Sequence, residues 1–499
     1  MRPEPTLRCP SVELAQALTQ PGVDWHALAP DIVLAVTACI VLIVDLFLPH
    51  EGKWISAPLS AAGIVGTLAA VVSLVGEERV TLGGAFEIDS FALLFKGLFC
   101  VIGLIVLALS FGYFRSGRYY QGEYYFLMLS SLLGGVVIAS ARDLITLFIA
   151  LELISIPAII MTALRKADVK SNEAALKFFL FSVLSSAVML YGMSFVYGAT
   201  QSTQLDAIRR AIGNSGDQPL VVLSVFFVVV GFAFKISAVP FHFWAPDTYE
   251  GAPSPVAAFL STASKIGGFV GLLVLMFRAF PEVADTWRPA FAVLATLTMT
   301  VGNLIALRQQ HIIRLLAYSG IAQSGYVLVT LALIQPDAPQ ANAQALESAI
   351  VYLAIYGVMD LGAFAAAVSF ARKTGTYFIS DYSGLWSRSP VLATLMAGFL
   401  LSLAGTPPMA GAWAKLFVFA AAINSEVYWL AAVMGLNAVI AAWYYLAVVK
   451  RMFLDSPESD DLIEVPYLLR ATMGVVAIAL VAVFIYPSLV TSLADKSLL

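Results

Sequence analysis

Charge is scarce in this 499-residue chain: Asp, Glu, Lys and Arg make up 12% of it, about half of what a soluble domain carries, which excludes an ordinary water-soluble fold. Cysteine is scarcer still. Cys9, Cys39 and Cys100 lie far apart with no CxxC spacing, so no disulfide framework, iron–sulfur centre or structural zinc is expected, and the chain is read as carrying no cofactor or metal. The four histidines, His26, His50, His242 and His311, are equally scattered. No Walker or GxGxxG sequence follows a strand, which removes nucleotide binding. A formal net charge of −4 gives no reason to expect nucleic acid as a partner. Any redox chemistry has to be done elsewhere.

What fills the chain instead is apolar: 60% of residues are hydrophobic and the mean hydropathy is +0.87. A helix needs about 20 such residues to cross ~30 Å of hydrocarbon, and the chain divides into about fourteen runs of that kind. They fall near 29–48, 55–76, 90–113, 122–140, 143–164, 173–198, 219–241, 254–278, 288–307, 311–334, 347–371, 390–423, 427–452 and 467–493. The expected fold is an all-α polytopic membrane protein, since the polar gaps, such as 201–219 and 455–466, are too short for a soluble domain. Residues 1–28 form an N-terminal extension without the apolar core of a cleavable signal, so the first span is expected to serve as an uncleaved insertion signal. Lys and Arg are in excess on the side of residues 372–388, which predicts that loop in the cytoplasm and both termini outside.

The informative residues are charges inside apolar runs, where one costs ~2.5–3.5 kcal/mol even on a lenient insertion scale. The stretch 231–271 carries Lys235 and Lys265 on either side of a segment rich in proline and aromatics. Pro240 follows Lys235, so the segment breaks where the charge sits. Span twelve is too long for one crossing and breaks at 405–408, with Lys415 seven residues after the break. Interrupted helices in two halves point to inverted repeats with an ion site at mid-membrane. The repeats would be two five-helix units, 122–278 and 288–452, preceded by helices 1–3 over 29–113 and followed by the last helix and C-terminus over 467–499, with helices 7 and 12 broken.

Glu152 and Asp360 stand deep in apolar helices, where a carboxylate needs a cationic partner or a proton. Lys177 admits two readings: an i,i+4 salt bridge with Glu173, or a place in a serine-studded helix face that packs closely. His242 is either a group that titrates near neutrality or a fixed hydrogen-bonding group at a helix end. Gln323, with Ser319 and Ser324, makes a polar face that cannot titrate. Asp45, Asp89 and Lys96 read as interfacial polar groups. Residues 76–89, with Gly83–Gly84, read as a hairpin. Ser171 or Asn172 is the expected cap of span six.

ALE at 150–152, SNEAALKFF at 171–179, PFHFWAPDTYEGAPSPVAAFLSTASK at 240–265, RLLAYSGIAQSGY at 314–326 and GTPPMAGAWAKLFVF at 405–419 resemble the subunit N family of bacterial NADH:quinone oxidoreductase, respiratory complex I. The resemblance covers nearly the whole chain. It implies an antiporter-like subunit of fourteen helices in the bacterial cell membrane, moving protons while other subunits, which hold the flavin and iron–sulfur clusters, pass electrons from NADH to quinone. Its implied partners are the other membrane subunits, including the sister antiporter-like subunits, and the lipid bilayer. Quinone is bound elsewhere in the complex.

By the same resemblance Glu152 and Lys235 match the family's glutamate–lysine pair, Lys265 its central lysine and Lys415 its outer lysine, with Lys177, His242 and Asp360 as auxiliary groups of the proton path. Two departures stand out: Gln323 occupies a position that is histidine in some relatives, and Asp360 one that is commonly neutral. At an effective dielectric of ~20, a Glu152–Lys235 pair gains ~2.8 kcal/mol at ~6 Å and ~1.7 kcal/mol at ~10 Å, so their separation would act as a switch. A multisubunit cation/proton antiporter, or a membrane-bound hydrogenase or ferredoxin-linked complex, is the alternative setting. A glutamate at position 415 would have pointed to the antiporter.

Overall fold

A backbone inside hydrocarbon has to satisfy its own polar groups, and the computed structural model of the chain is accordingly helical almost throughout. It describes residues 22–115, 121–215, 219–335, 338–457 and 461–497; most of the expected N-terminal extension, with Cys9, lies outside them. First come α1 (Ala29–Phe47), α2 (Ser56–Ser73) and α3 (Ser90–Arg115), with a hairpin of β1 (Arg79–Thr81) and β2 (Phe86–Ile88) between α2 and α3. Next are α4 (Gln121–Ser140), α5 (Leu144–Thr162), α6 (Val169–Thr200), α7 (Leu205–Ser215), α8 (Pro219–Lys235) and α9 (Trp244–Gly251). A continuous rod follows, made of α10 (Ser254–Phe259), a π-helical turn (Leu260–Ser264) and α11 (Lys265–Arg278).

The remainder is α12 (Ala284–Ala306), α13 (Ile312–Ala332), α14 (Pro339–Thr374), the short α15 (Leu385–Arg388), α16 (Pro390–Ala404), α17 (Gly411–Asn424), α18 (Tyr428–Leu454), α19 (Tyr467–Ile485) and α20 (Ser488–Asp495). Among the described residues, twelve helices are long and apolar enough to cross a membrane, and α8, α16 and α17 are shorter apolar helices. The rod of α10 and α11 is buried along all but its last two residues and α13 and α14 are largely so, whereas α1, α2, α6, α18 and α19 bury only part of theirs. Buried polar residues are spread over most of the helices, with Lys265, Gln323 and Asp360 on the three that are most buried.

Several expectations shift by a turn or more. Helix α6 starts at Val169 because Asp168 caps it, accepting from the Lys170 N–H at 3.0 Å. Ser171 donates instead to the Thr162 carbonyl at 2.7 Å, and Asn172 to that of Lys166 at 3.0 Å. The gap after span six holds α7, which buries Leu205, Ile208 and Ile212 at helical spacing. Part of the proline- and aromatic-rich segment is helical, as α9.

The hairpin over 76–89 forms with its turn at Leu82–Gly84, and one face of it, Phe86 and Ile88, is buried. Lys96 is not interfacial. It is fully buried and donates to Asp31 Oδ2 of α1 at 2.6 Å, with Nζ 4.7 Å from the centre of the Phe86 ring. Asp45 is likewise buried and is paired with Lys53 at 2.7 Å. Asp89 takes an Arg142 contact at 2.5 Å. Pairing, rather than snorkelling, is what these three groups use.

Candidate functional site

Helix α5 begins where Asp143 caps it, its carboxylate accepting from the Ile145 and Thr146 N–H groups at 2.8 and 3.3 Å. Glu152 and Ser155 stand one turn apart on that helix, and Pro157 within it withholds a donor from the Leu153 carbonyl. Glu152 Oε1 accepts from Ser186 Oγ of α6 at 2.5 Å. Lys235, the last residue of α8, is buried and donates from Nζ to Ser155 Oγ at 2.6 Å. Each member of the expected pair is thus held by a serine on a helix facing it.

The stop after Lys235 is supported by side chains from other helices. Ser324 Oγ of α13 donates to the Ile236 carbonyl at 2.9 Å, the Val239 N–H donates to Thr298 Oγ1 of α12 at 3.0 Å, and Trp244 Nε1 donates to the Phe234 carbonyl at 3.1 Å. A helix can end inside a membrane protein only where its freed backbone groups find such partners. Ser237 adopts a φ of 58° just beyond.

Lys265 opens α11 directly after the π-helical turn and is buried, with no protein hydrogen-bond partner for Nζ. Its Nζ lies 5.9 Å from the centre of the Tyr356 ring. A Cβ at Gly320 of α13 would sit 2.8 Å from that Nζ and 3.0 Å from the Tyr356 hydroxyl, so only glycine leaves the two polar groups room. One turn before Lys265, Ser261 Oγ donates to Asp360 Oδ2 of α14, which the Tyr356 hydroxyl also approaches at 3.4 Å. Asp360 is fully buried and its other oxygen has no partner. The structure therefore brings Lys265 and Asp360 into one cluster with Ser261 and Tyr356.

A second cluster lies beside the first, beginning at Ser319, the residue before Gly320. The Ser319 and Tyr445 hydroxyls are hydrogen-bonded, and the Tyr352 hydroxyl donates to Gln323 Oε1. Gln323 Nε2 donates to the Leu403 carbonyl at 2.9 Å and reaches the Tyr445 hydroxyl at 3.5 Å. Lys415 Nζ donates to that same Leu403 carbonyl at 3.0 Å and to the Ala404 carbonyl at 2.8 Å, with the Tyr326 ring centre 5.0 Å away. These are the last two carbonyls of α16, freed because the chain turns away at Gly405. The C-terminal end of a helix favours a cation.

Residues 141–441 match the family model described as NADH:quinone oxidoreductase/Mrp antiporter, transmembrane. The chain belongs to this family. A relative from Moorella thermoacetica named NADH-quinone oxidoreductase subunit N is 39% identical over 475 residues, covering 95% of this chain and 98% of that one. The resemblance to the subunit N family carried by the sequence motifs therefore holds. Among solved structures, a chain of respiratory complex I from Thermus thermophilus with bound aureothin matches with a TM-score of 0.79 at 30% identity, over 93% of this chain and 99% of that one. A chain of the Mrp complex from a Dietzia species matches with a TM-score of 0.83 over 95% of this chain and 96% of that one, and at 19% identity it shares the fold. Both structures are of multisubunit membrane complexes.

Within the matched family region, Lys177 and His242 stand apart from the buried groups. Lys177 makes the expected pair with Glu173 at 2.8 Å and a second with Asp247 at 2.8 Å, and its side chain is 40% exposed. His242 lies between α8 and α9, with Nδ1 buried and unpartnered. At the same end of the bundle His311 precedes α13, and burial pushes its imidazole below the ordinary value while Glu250 pulls the other way. Ser155, Ser186, Ser261, Tyr352, Tyr356 and Tyr445 join the site without having been singled out from sequence. The serine-studded face of α6 hinted at Ser186; Ser155, the one serine of α5, carried no signal, and the tyrosines none apart from their abundance. Among the described residues no three His, Cys, Asp or Glu side chains cluster as a metal site requires.

Proposed function

We propose that this chain is the proton-translocating membrane subunit of an NADH:quinone oxidoreductase, coupling electron transfer in other subunits to proton transfer across the membrane. The observation that carries this reading is the series of ionisable groups inside the bundle, half-buried Glu152 and buried Lys235, Lys265, Asp360 and Lys415, with serine, tyrosine and glutamine side chains bonded to or set beside them. Buried charges of this kind are not retained for stability. Glu152 and Lys235 form the control point: each is anchored on a separate serine, so a small relative shift of α5, α6 and α8 changes their separation and the hold on the proton. Lys265 and Asp360 are the central station and Lys415 the outlet. His242 and Lys177 lie toward the proton-entry end.

Flavin, iron–sulfur clusters and quinone belong to other subunits on this reading, and the sister antiporter-like subunits are neighbours in the bilayer. The helix stops after Lys235 and Ala404 support two related repeats, α4 to α11 and α12 to α18. Counting α8 with α9, and α16 with α17, as one crossing each completes fourteen. The Lys and Arg excess near residues 372–388 favours that loop in the bacterial cytoplasm and both termini outside. Lysine at 415, rather than glutamate, favours this setting over a cation/proton antiporter.

The test is NADH-driven proton uptake by the reconstituted complex with electron transfer recorded in parallel, for wild type, Glu152→Ala and Lys235→Ala. Impaired uptake in assembled complex supports the reading; wild-type proton-to-electron ratios in both variants sink it. A sodium gradient that moves protons without NADH would transfer the chain to the antiporter class.

A further inference from the structure

At the end of the bundle that holds α9, five ionisable side chains outside the buried line alternate in sign. Glu173 Oε1 meets Lys177 Nζ at 2.8 Å, and the same Nζ meets Asp247 Oδ2 at 2.8 Å. Arg314 Nη1 meets Asp247 Oδ1 at 2.9 Å and Glu250 Oε2 at 2.7 Å. Asp247, on α9, therefore takes a cation of α6 on one carboxylate oxygen and a cation of α13 on the other. Arg165, from the turn between α5 and α6, donates to the Gly251 and Ala252 carbonyls at 2.7 and 3.3 Å, at the C-terminal end of α9.

Helix α9 is only eight residues long, too short to be stable by its own hydrogen bonds. Its placement depends on these ion pairs and on Trp244, whose ring stacks on Phe178 of α6 with centroids 4.4 Å apart. Both of the helices it joins carry groups set against the buried line. Helix α6 supplies Ser186 to Glu152, while α13 supplies Gly320 against Lys265 and Gln323 to the carbonyl that Lys415 shares. Along the chain α9 also sits between Lys235 and Lys265.

We propose that Asp247 is a positioning residue that couples the Glu152–Lys235 site to the Lys265–Lys415 half by tying α6 to α13 through α9. The proposal rests on the proton-translocation reading above. Partly exposed ion pairs contribute little to stability one by one, so the use of these two lies in their order. They stand in series, and a displacement of α6 is handed to α13 only while both hold. Breaking either breaks the link, and breaking the second changes nothing more. Two independent stabilising contacts would instead lose function in separate, compounding steps.

The experiment measures proton uptake per NADH oxidised in liposomes holding the whole complex, with complex content read from native gels. The variants are Lys177→Met, Arg314→Met, the double variant, Asp247→Asn and Arg314→Lys, beside Lys235→Ala. The expected result is an equal loss of uptake per NADH in both single variants, no further loss in the double variant or in Asp247→Asn, and wild-type uptake in Arg314→Lys, which keeps a cation on Asp247. Compounding losses, or a normal ratio in every assembled clamp variant, overturns the proposal. If the methionine variants do not assemble, the isosteric Asp247→Asn decides, and a normal ratio there is fatal. Loss in Lys235→Ala with normal clamp variants removes the clamp alone. Normal pumping in Lys235→Ala removes the underlying function and the clamp with it.

Discussion

Ser155 is the residue on which the first lysine of the line depends. Its hydroxyl takes the Lys235 ammonium at 2.6 Å and passes its own hydrogen to the Leu151 carbonyl at 2.7 Å. A hydrogen bond to a charged group contributes ~1.5–3 kcal/mol, so Ser155→Ala is expected to slow proton transfer about tenfold without loss of assembly, and Ser155→Thr to keep most of it; initial rates of proton uptake check this. At the bundle end His311 gives a prediction of another kind. Burial holds its folded pKa below the ordinary 6.5, so the folded state binds fewer protons than the unfolded chain near that pH. Its contribution to stability is present above about 6.5 and is lost as pH falls through the folded value. Hydrogen-exchange protection factors at the start of α13, taken relative to the intrinsic amide rate at each pH, should therefore fall between pH 7 and 5 in wild type, and much less so in His311→Asn.

At the scale of elements, the Lys96–Asp31 pair bolts α3 to α1 where the chain was expected to place only interfacial groups. Removing one partner of a buried pair leaves the other uncompensated and costs about 3–5 kcal/mol, whereas replacing both by apolar residues is close to neutral. Lys96→Met should lower the thermal midpoint of the complex clearly, and Lys96→Met/Asp31→Leu should restore it. An equal drop in both would show that the pair is not the source. Distance from a span edge located Lys96 along the helix axis, but not the acid on a helix 65 positions away in sequence. Helix existence was readable from apolar runs, and the helix ends near Pro240 and Gly405 from proline and glycine. Starts were less so, since Asp168 outcompeted Ser171 and Asn172 for the cap. The amphipathic spacing of Leu205, Ile208 and Ile212 was readable too, within a gap that length alone marked as a loop.

Across the whole molecule, the line combines three buried lysines with two carboxylates. A metal cation would have to pass ammonium groups and find several oxygens where tyrosine, glutamine and backbone carbonyls are already engaged with each other. Replacing sodium by choline in the assay medium is therefore expected to leave NADH-driven proton uptake unchanged; a dependence on sodium would contradict a lysine-based path. The lysines and carboxylates were legible because ionisable groups are rare in apolar sequence. Their partners were not, because which hydroxyl faces which charge depends on how neighbouring helices are rotated and staggered. Glu152 and Ser186, for instance, meet across two helices, and neither helix's own pattern specifies the encounter.

The carbonyl shared by Gln323 and Lys415 has a consequence for how this region can vary over evolutionary time. Every amino acid carries that oxygen, so no side-chain replacement at position 403 deletes it. The seat for Lys415 is specified by the point at which a helix is made to stop. Substitutions near 403 that keep the stop leave the seat in place, and Pro407 and Pro408, the positions four residues on from the Leu403 and Ala404 carbonyls, have no N–H to offer them. Only replacing both prolines would let a continuing helix fill both acceptors with its own amides and evict the lysine without touching it.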